Sequence, residues 1–564
     1  MPWPDLNDPA MHTTFILDPH DIFLRYTDAL SPTARLREGA RVGFLIPGRV
    51  SYLLFGAFAG FIVYRYLLAL IAVVPTYLLL RRLYGRVAGA VGVVAILSAP
   101  VILTAWGTDF PDSAAVSYLA GGLACLAMPS ERHRRAWLIA AAALLTLAVW
   151  AFASAAPLAI ATLAAYTWIR YRRDRPHLLR DLGTMAAGGV AVTGLLAVAS
   201  GPLLGQFDYI VPTVKSVIFL AHPSQIVLWH SSNWQWAPYV AYLLVPPATL
   251  LAWLIAAGPR LRAIPTPALI VGAACAAQLL VSVLGQFVGG VQLLEMHYFS
   301  SLLWGAVTLT FAMLIVELGR PLFRHPRLAW LLPVLVLGVA LAYELDPHVP
   351  AFGWLPVGGA LAALMVASAL VAKRWLARGS MPARALSGAA LAVVPACTLL
   401  LTVAPVPAHA QLPHTVYDPP PAYASALGGD ASMAVDLYRA TTQLPQFVGP
   451  AAFAGEQLLM WWPREQVRQL LEPIGIYHAF FNSLPEGFGT LSDDDRHLVE
   501  QRRPAQILLL SITGAQFEES LESLSDYKPK LVRTAVLRSG SISLHAWLID
   551  LERYCTGDGG VIRC

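Results

Sequence analysis

"LLFGAFAGFIVYRYLLALIAVVPTYLLLRRLYGRVAGAVGVVAILSAPVILTAWGTDFPDSAAVSYL", residues 53–119, carries two apolar runs joined by the basic turn 81–86 and followed by the acidic turn at Asp109 and Asp112. Each run is about the length a helix needs to cross the roughly 30 Å of hydrocarbon in a bilayer. The arginines then lie on one side of the membrane and the two aspartates on the other. The whole chain agrees with this reading: 57% of its 564 residues are hydrophobic and 13% are charged. Its net charge of +5 does not point to nucleic acid, because basic residues in such chains sort by side of the membrane. Only Lys215, Lys373, Lys528 and Lys530 among the 39 basic residues are lysines, and the excess of Arg and Ala points to a GC-rich bacterial source.

Candidate spans fall near 58–80, 87–106, 113–128, 136–151, 155–170, 184–204, 238–257, 267–288, 299–317, 328–343, 354–372 and 385–404, roughly twelve in all. The connections 81–86, 130–135, 170–181, 259–262, 319–327 and 373–384 hold twenty Lys and Arg, whereas the alternate connections hold only Lys215. Basic residues in short loops stay cytoplasmic, so the acidic turn faces the extracytoplasmic side. The same alternation places Met1–Val50 outside despite its five arginines. That leads to the expectation of a further helix upstream, or of a short N-terminus translocated behind the first span.

The expected fold is a polytopic α-helical membrane protein of about twelve transmembrane helices with a C-terminal extracytoplasmic α/β domain. Residues 1–57 form the first outer loop with interfacial helices, 58–404 the spanning region, 405–423 a Pro-rich linker and 424–564 the soluble domain. Within the last, "EQLLMWW", "AQILLLS", "KLVRTAVL" and "SISLHAWLIDL" read as strands, and 431–444, 463–473, 494–503 and 515–526 as helices. Cys125, Cys275 and Cys397 fall within spans, where a small buried apolar role is expected. Cys555 and Cys564 bound "CTGDGGVIRC" and would pair as a disulfide in an oxidising compartment.

There is no P-loop, no Gly-rich dinucleotide turn, no HExxH and no CxxC pair. Ionisable groups at the outer membrane surface remain, and these are functional candidates because they are expensive there. Asp8, Asp18 and Asp21 lie in the N-terminal segment, Asp109 and Asp112 in the acidic turn, Arg65 at the outer edge of the first span, and Glu295, His297 and Tyr298 at an outer helix start, with Lys215 in the loop 205–237. Acids suit proton abstraction or a divalent metal, and cations suit a phosphate at the interface. Each also has a plainer reading. Asp112, just before a span, could serve as a helix cap; the N-terminal acids could be turn residues beside Pro9 and Pro19; Arg65 could snorkel to headgroups; Glu295 and His297 could sit in a solvated loop.

The stretch 53–119 resembles the second to fourth helices of the GT-C membrane glycosyltransferases, in particular the family of dolichyl-phosphate-mannose protein mannosyltransferases and lipid A aminoarabinose transferases. Phe55-Gly56 with Arg65, Arg81 to Gly85, and Asp109 and Asp112 ahead of 113–128 carry the likeness. The resemblance implies an extracytoplasmic acid acting as general base on an acceptor hydroxyl of a glycan, lipid or protein, with the sugar supplied by a polyprenyl phosphate. It implies a bacterial plasma-membrane enzyme with its active site outside; a divalent metal is the one cofactor the acids leave open. The family's adjacent Asp-Glu pair is absent here: by distance to Phe55-Gly56 Asp8 takes its place, and by local pattern Asp18 or Asp21 does.

Two other classes compete. A lipid or glycolipid flippase would show internal repeats and broken helices near the midplane, and a scaffold displaying the α/β domain would need about one span. The basic asymmetry yields a direct test: a cysteine introduced at Ser232 reacts with an impermeant thiol reagent in intact cells, and one introduced at Gly379 does not. The reverse pattern overturns the orientation.

Overall fold

The computed structural model describes residues 41–107, 111–128, 132–205, 241–258, 264–288, 297–320, most of 326–338, 355–375, 391–395, 443–448, 458–461, 493–511, 517–540, 542–554, 556–558 and 561–563, with a few single positions besides. The chain divides into two compact units, Leu30–Ala410 and Met1–Ala29 together with Gln411–Cys564.

The first unit is helical. Its helices are α1 (Val42–Phe55), α2 (Ala57–Tyr84), α3 (Arg86–Ser98), α4 (Pro100–Gly107), α5 (Pro111–Leu126), α6 (Arg134–Ala151), α7 (Ala156–Arg173), α8 (Arg175–Leu204), α9 (Ala241–Ala257), α10 (Thr266–Phe287), α11 (His297–Leu318), α12 (Pro326–Ala329) and α13 (Leu355–Trp375). Among the described residues, five helical segments are long and apolar enough to cross a membrane: Ile62–Tyr84, Arg134–Ala151, Arg175–Leu204, Thr266–Gly285 and Ser301–Leu318. Val42–Phe55, Arg86–Ser98, Leu244–Ala257, Arg327–Gly338 and Ala362–Lys373 are shorter apolar helices. The chain is thus a multi-pass membrane protein, although the described helices do not add up to twelve full spans. On α8, Leu179, Val190, Leu195 and Val198 stay exposed, as side chains do when their solvent is lipid.

The helix α11 is the hub of this unit. It is almost wholly buried and packs against α3, α5, α9 and α10. Between α2 and α3 the chain reverses at Gly85, whose φ of 99° is open to glycine and strained for other residues. Arg81 and Arg82 fill the last turn of α2, where cations meet the negative end of the helix dipole. The span expected at 87–106 is two helices, α3 and α4. Pro100 supplies no amide and crowds the preceding turn, so the helix restarts there.

At the end of the unit that the sequence assigns to the cytoplasm, an ion network ties α6, α7 and α8 together. Arg134 bonds Asp181 and, at 3.1 Å, Asp174. The Tyr166 hydroxyl donates to Asp181 at 2.7 Å, Arg170 lies 3.1 Å from Asp174, and His177 Nδ1 lies 2.7 Å from Asp174. Arg173 donates to the Ile264 carbonyl at 3.2 Å, which extends the tie to the start of α10.

In the second unit, α14 (Leu444–Val448), α15 (Asp493–Arg502) and α16 (Phe517–Ser523) accompany β1 (Leu458–Trp461), β2 (Gln506–Ser511), β3 (Pro529–Ser539) and β4 (Ile542–Leu551). The strands form one sheet in the order β1-β2-β4-β3, with β1 and β2 parallel and the other pairs antiparallel. Leu459, Trp461, Ile507, Leu509, Trp547, Ile549 and Leu551 share one face by the period of two and form a core with Leu491, Val499, Leu524 and Tyr527. A hairpin of β5 (Thr556–Asp558) and β6 (Val561–Arg563) follows. Three of the four runs read as strands in the sequence contain β1, β2 and β4, and the run 530–537 lies inside the longer β3.

Asp181 is buried and Arg134 nearly so. Removing one partner of a buried pair strands the other charge, at about 3–5 kcal/mol. Asp181→Asn should therefore lower the thermal unfolding temperature of the solubilised protein sharply, while exposed Asp526→Asn should barely change it. The pH dependence has a defined sign. Burial alone would raise the Asp174 carboxyl, but His177, Arg134 and Arg170 hold it below the usual carboxylate value. Its contribution is complete above the unfolded value near about 4 and is lost as pH falls through the lowered one. Unfolding followed from pH 6 downward should show a loss beginning near the unfolded value, and Asp174→Asn should remove that component.

Candidate functional site

Residues from α1, α4, α5 and α11, with Phe152 at the end of α6, converge at the end of the helical unit that the sequence assigns to the outside. Asp112 stands in the first turn of α5, and this turn presents the positive end of the helix dipole. The side chain is fully buried. Its Oδ2 accepts a hydrogen bond from Ser301 Oγ at 3.1 Å across 189 positions of sequence. Its Oδ1 has no hydrogen-bond partner among the described residues. Arg41, just ahead of α1, acts electrostatically on this carboxylate, and its guanidinium carbon stands 5.4 Å over the Phe152 ring.

A frame of aromatic donors fixes these groups. The Tyr64 hydroxyl on α2 donates to the Phe44 carbonyl at 2.9 Å, and the Tyr118 hydroxyl on α5 donates to the Gly43 carbonyl at 3.2 Å. Trp106 Nε1 donates to Ser117 Oγ at 2.7 Å, and Ser117 in turn donates to the Ser113 carbonyl at 2.8 Å. All of these side chains are buried. The close approach of α1 to α6 needs Gly43: a Cβ there would stand 2.4 Å from the Leu147 carbonyl oxygen and 2.6 Å from the Ala151 nitrogen.

Among the described residues nominated by the sequence, Asp112 has a polar partner on another helix, Ser301. Its carboxylate bonds a distant helix, which a simple cap of α5 would not. Arg65 is half-buried on α2, one residue beyond Tyr64. His297 and Tyr298 open α11, and His297 precedes Ser301 by one helical turn. Asp8, Asp18, Asp21, Asp109, Lys215, Glu295, Cys555 and Cys564 lie outside the described residues. Among the described residues no group of three His, Cys, Asp or Glu is placed to hold a metal ion. Sequence reasoning missed Arg41, Ser301, Tyr64 and Tyr118. For Arg41 a signal existed, an arginine directly before an apolar run; for Ser301 there was none, since nothing in spacing predicts a contact so distant.

No family model matches the chain, and no curated protein does. Two solved structures are similar over 95% of this chain and 93% of their own: a crystal structure of ArnT from Cupriavidus metallidurans bound to undecaprenyl phosphate, with 17% identity and a TM-score of 0.43, and one of the same protein in the apo state, with 15% identity and a TM-score of 0.41.

Proposed function

We propose that this chain is an integral membrane glycosyltransferase that moves a sugar from a polyprenyl phosphate to an acceptor hydroxyl on the extracytoplasmic side. The observation that carries the reading is Asp112: a fully buried carboxylate with one oxygen held by Ser301, the other without a hydrogen-bond partner among the described residues, and an arginine acting on it. Leaving such a group underused is expensive in a membrane protein, and that expense marks functional rather than structural acids.

The chemistry suits these residue types. The acceptor oxygen attacks the anomeric carbon, the bond from that carbon to the phosphate oxygen breaks, and the acceptor proton passes to a carboxylate. The departing lipid phosphate gains negative charge, which a guanidinium stabilises. Arg41, with Arg65 and Lys215 as further candidates, serves that charge. The base comes from the set Asp8, Asp18, Asp21, Asp109 and Asp112. A donor with a polyprenyl tail stays in the bilayer, so the reaction belongs at the hydrocarbon boundary. The resemblance of residues 53–119 to the GT-C enzymes supports the same chemistry.

Reconstituted protein with a labelled polyprenyl-phosphate sugar tests the reading. Asp112→Asn keeps the shape and a hydrogen bond to Ser301 while removing the charge. Losing a general base lowers rate by about 10²–10⁴, so transfer should fall by that factor while the thermal transition stays within a few degrees of wild type. Asp109→Asn, and the same change at one of Asp8, Asp18 or Asp21, should behave alike. Wild-type turnover in Asp112→Asn and Asp109→Asn together would overturn the assignment of the site.

The extracytoplasmic placement of the soluble unit brings a second expectation. Cys555 and Cys564 lie outside the described residues, and in an oxidising compartment they would pair as a disulfide closing "CTGDGGVIRC". The unreduced C-terminal peptide should therefore weigh two hydrogens less than the reduced one by mass spectrometry. Two free thiols in freshly isolated protein would contradict it.

A further inference from the structure

The strand β3 is the edge of its sheet, bonded to β4 on one side, and Gln443 Nε2, just ahead of α14, donates to its Arg538 carbonyl at 3.4 Å. Leu531, Val532 and Val536 are 43%, 48% and 43% exposed, and Lys530, Arg533 and Arg538 beside them are exposed as well. A bulge between Leu531 and Arg533 shifts the register and adds one residue to the edge. From Pro529 to Ile549 the sequence has no acid. Acids gather instead on the helices: Asp493, Asp494, Asp495 and Glu500 on α15, and Glu518, Glu519 and Glu522 on α16. The exposed side chains of β3 are basic and apolar, with Asp550 of β4 opposite Lys530, and the helices that pack on one face of the sheet are acidic.

Cations along an edge strand commonly guard it against pairing with another chain, and that role accounts for Lys530, Arg533 and Arg538. It does not account for three large apolar side chains left in the open among them. A surface that takes both is one with phosphates outside and hydrocarbon beneath. We infer that β3 is the edge by which the soluble unit lies on an anionic lipid surface, with Lys530 and Arg538 at the phosphates and Leu531, Val532 and Val536 toward the acyl boundary. The unit belongs to a chain that spans the bilayer, so that surface is always within reach. Each cation near an anionic leaflet contributes about 1 kcal/mol, roughly a fivefold gain in occupancy of the docked state. Lys530 keeps a loose contact with Glu552 at 3.8 Å, and Arg533 donates to the Phe447 carbonyl at 2.7 Å. Lys530 and Arg538 are therefore the side chains to reverse, since Arg533 also holds the unit together.

The test is hydrogen exchange on the full chain in nanodiscs, read on the peptide 529–539, with discs of phosphatidylglycerol set against discs of phosphatidylcholine. Docking predicts at least tenfold slower exchange of the outward β3 amides in phosphatidylglycerol. It also predicts that 0.5 M salt, or Lys530→Glu with Arg538→Glu, returns the rate to that in phosphatidylcholine. Unchanged protection of Ile542–Leu551 in the double variant certifies that the sheet is intact. Equal exchange in the two lipids overturns the proposal. So does protection that appears only with two copies per disc, which would assign the edge to a second copy of the chain.

Discussion

A charge carried into hydrocarbon must find its partners inside the protein, and the two aspartates buried among the described residues of the helical unit meet that demand in opposite ways. Asp181 is paired with charge: Arg134 and the Tyr166 hydroxyl bond its Oδ2, and Arg170 stands beside it. Each donor there has a second role in the same network, which holds three helices in register. Asp112 is equally buried; Ser301 bonds its Oδ2, the Ser113 amide and Arg41 act on the carboxylate without an ion pair like that of Asp181, and its Oδ1 has no hydrogen-bond partner among the described residues. A fold seeking only stability would place Asn, Ser or an apolar residue there. The contrast within one bundle separates an acid that builds the protein from an acid held ready for something else.

The helical framework was legible in the sequence because hydrocarbon enforces it: an apolar run of sufficient length has few alternatives to a helix. The strands of the soluble unit were legible for a related reason, since Leu458–Trp461 and Gln506–Ser511 are short apolar runs bounded by polar or turn residues. What failed was local. Pro100 divides one expected span in two, and Val42–Phe55 forms a helix packed against α2, α6 and α8, where the sequence places only interfacial helices of an outer loop. Its Pro47, Gly43 and Arg49 weaken the apolar signal, and its length of 14 residues falls short of a full span.

The site was legible by residue type and opaque by partnership. Two acids between apolar runs are visible to any reader of residues 105–119, and the expense of an ionisable group at the membrane is enough to nominate them. How Asp112 is gripped, and by what, depends on how α11 threads beside α5, and no periodicity encodes that. The same holds for the ion network, where Asp174 and Asp181 read as ordinary charges of a cytoplasmic loop until Arg134 is brought across from α6.

The position of Arg41 shows how the site and the packing depend on each other. The arginine reaches Phe152 and acts on Asp112 because α1 starts hard against the end of α6, an approach closed to any residue at position 43 that carries a Cβ. The carbonyls of Gly43 and Phe44 are taken by Tyr118 and Tyr64, from α5 and α2, so the first turn of α1 is fixed from three sides. A larger residue at position 43 would push that turn away from α6, lengthen both tyrosine bonds and carry Arg41 away from the carboxylate. A defect in packing at the glycine would then appear as a defect in the electrostatics of Asp112, with no charged residue altered.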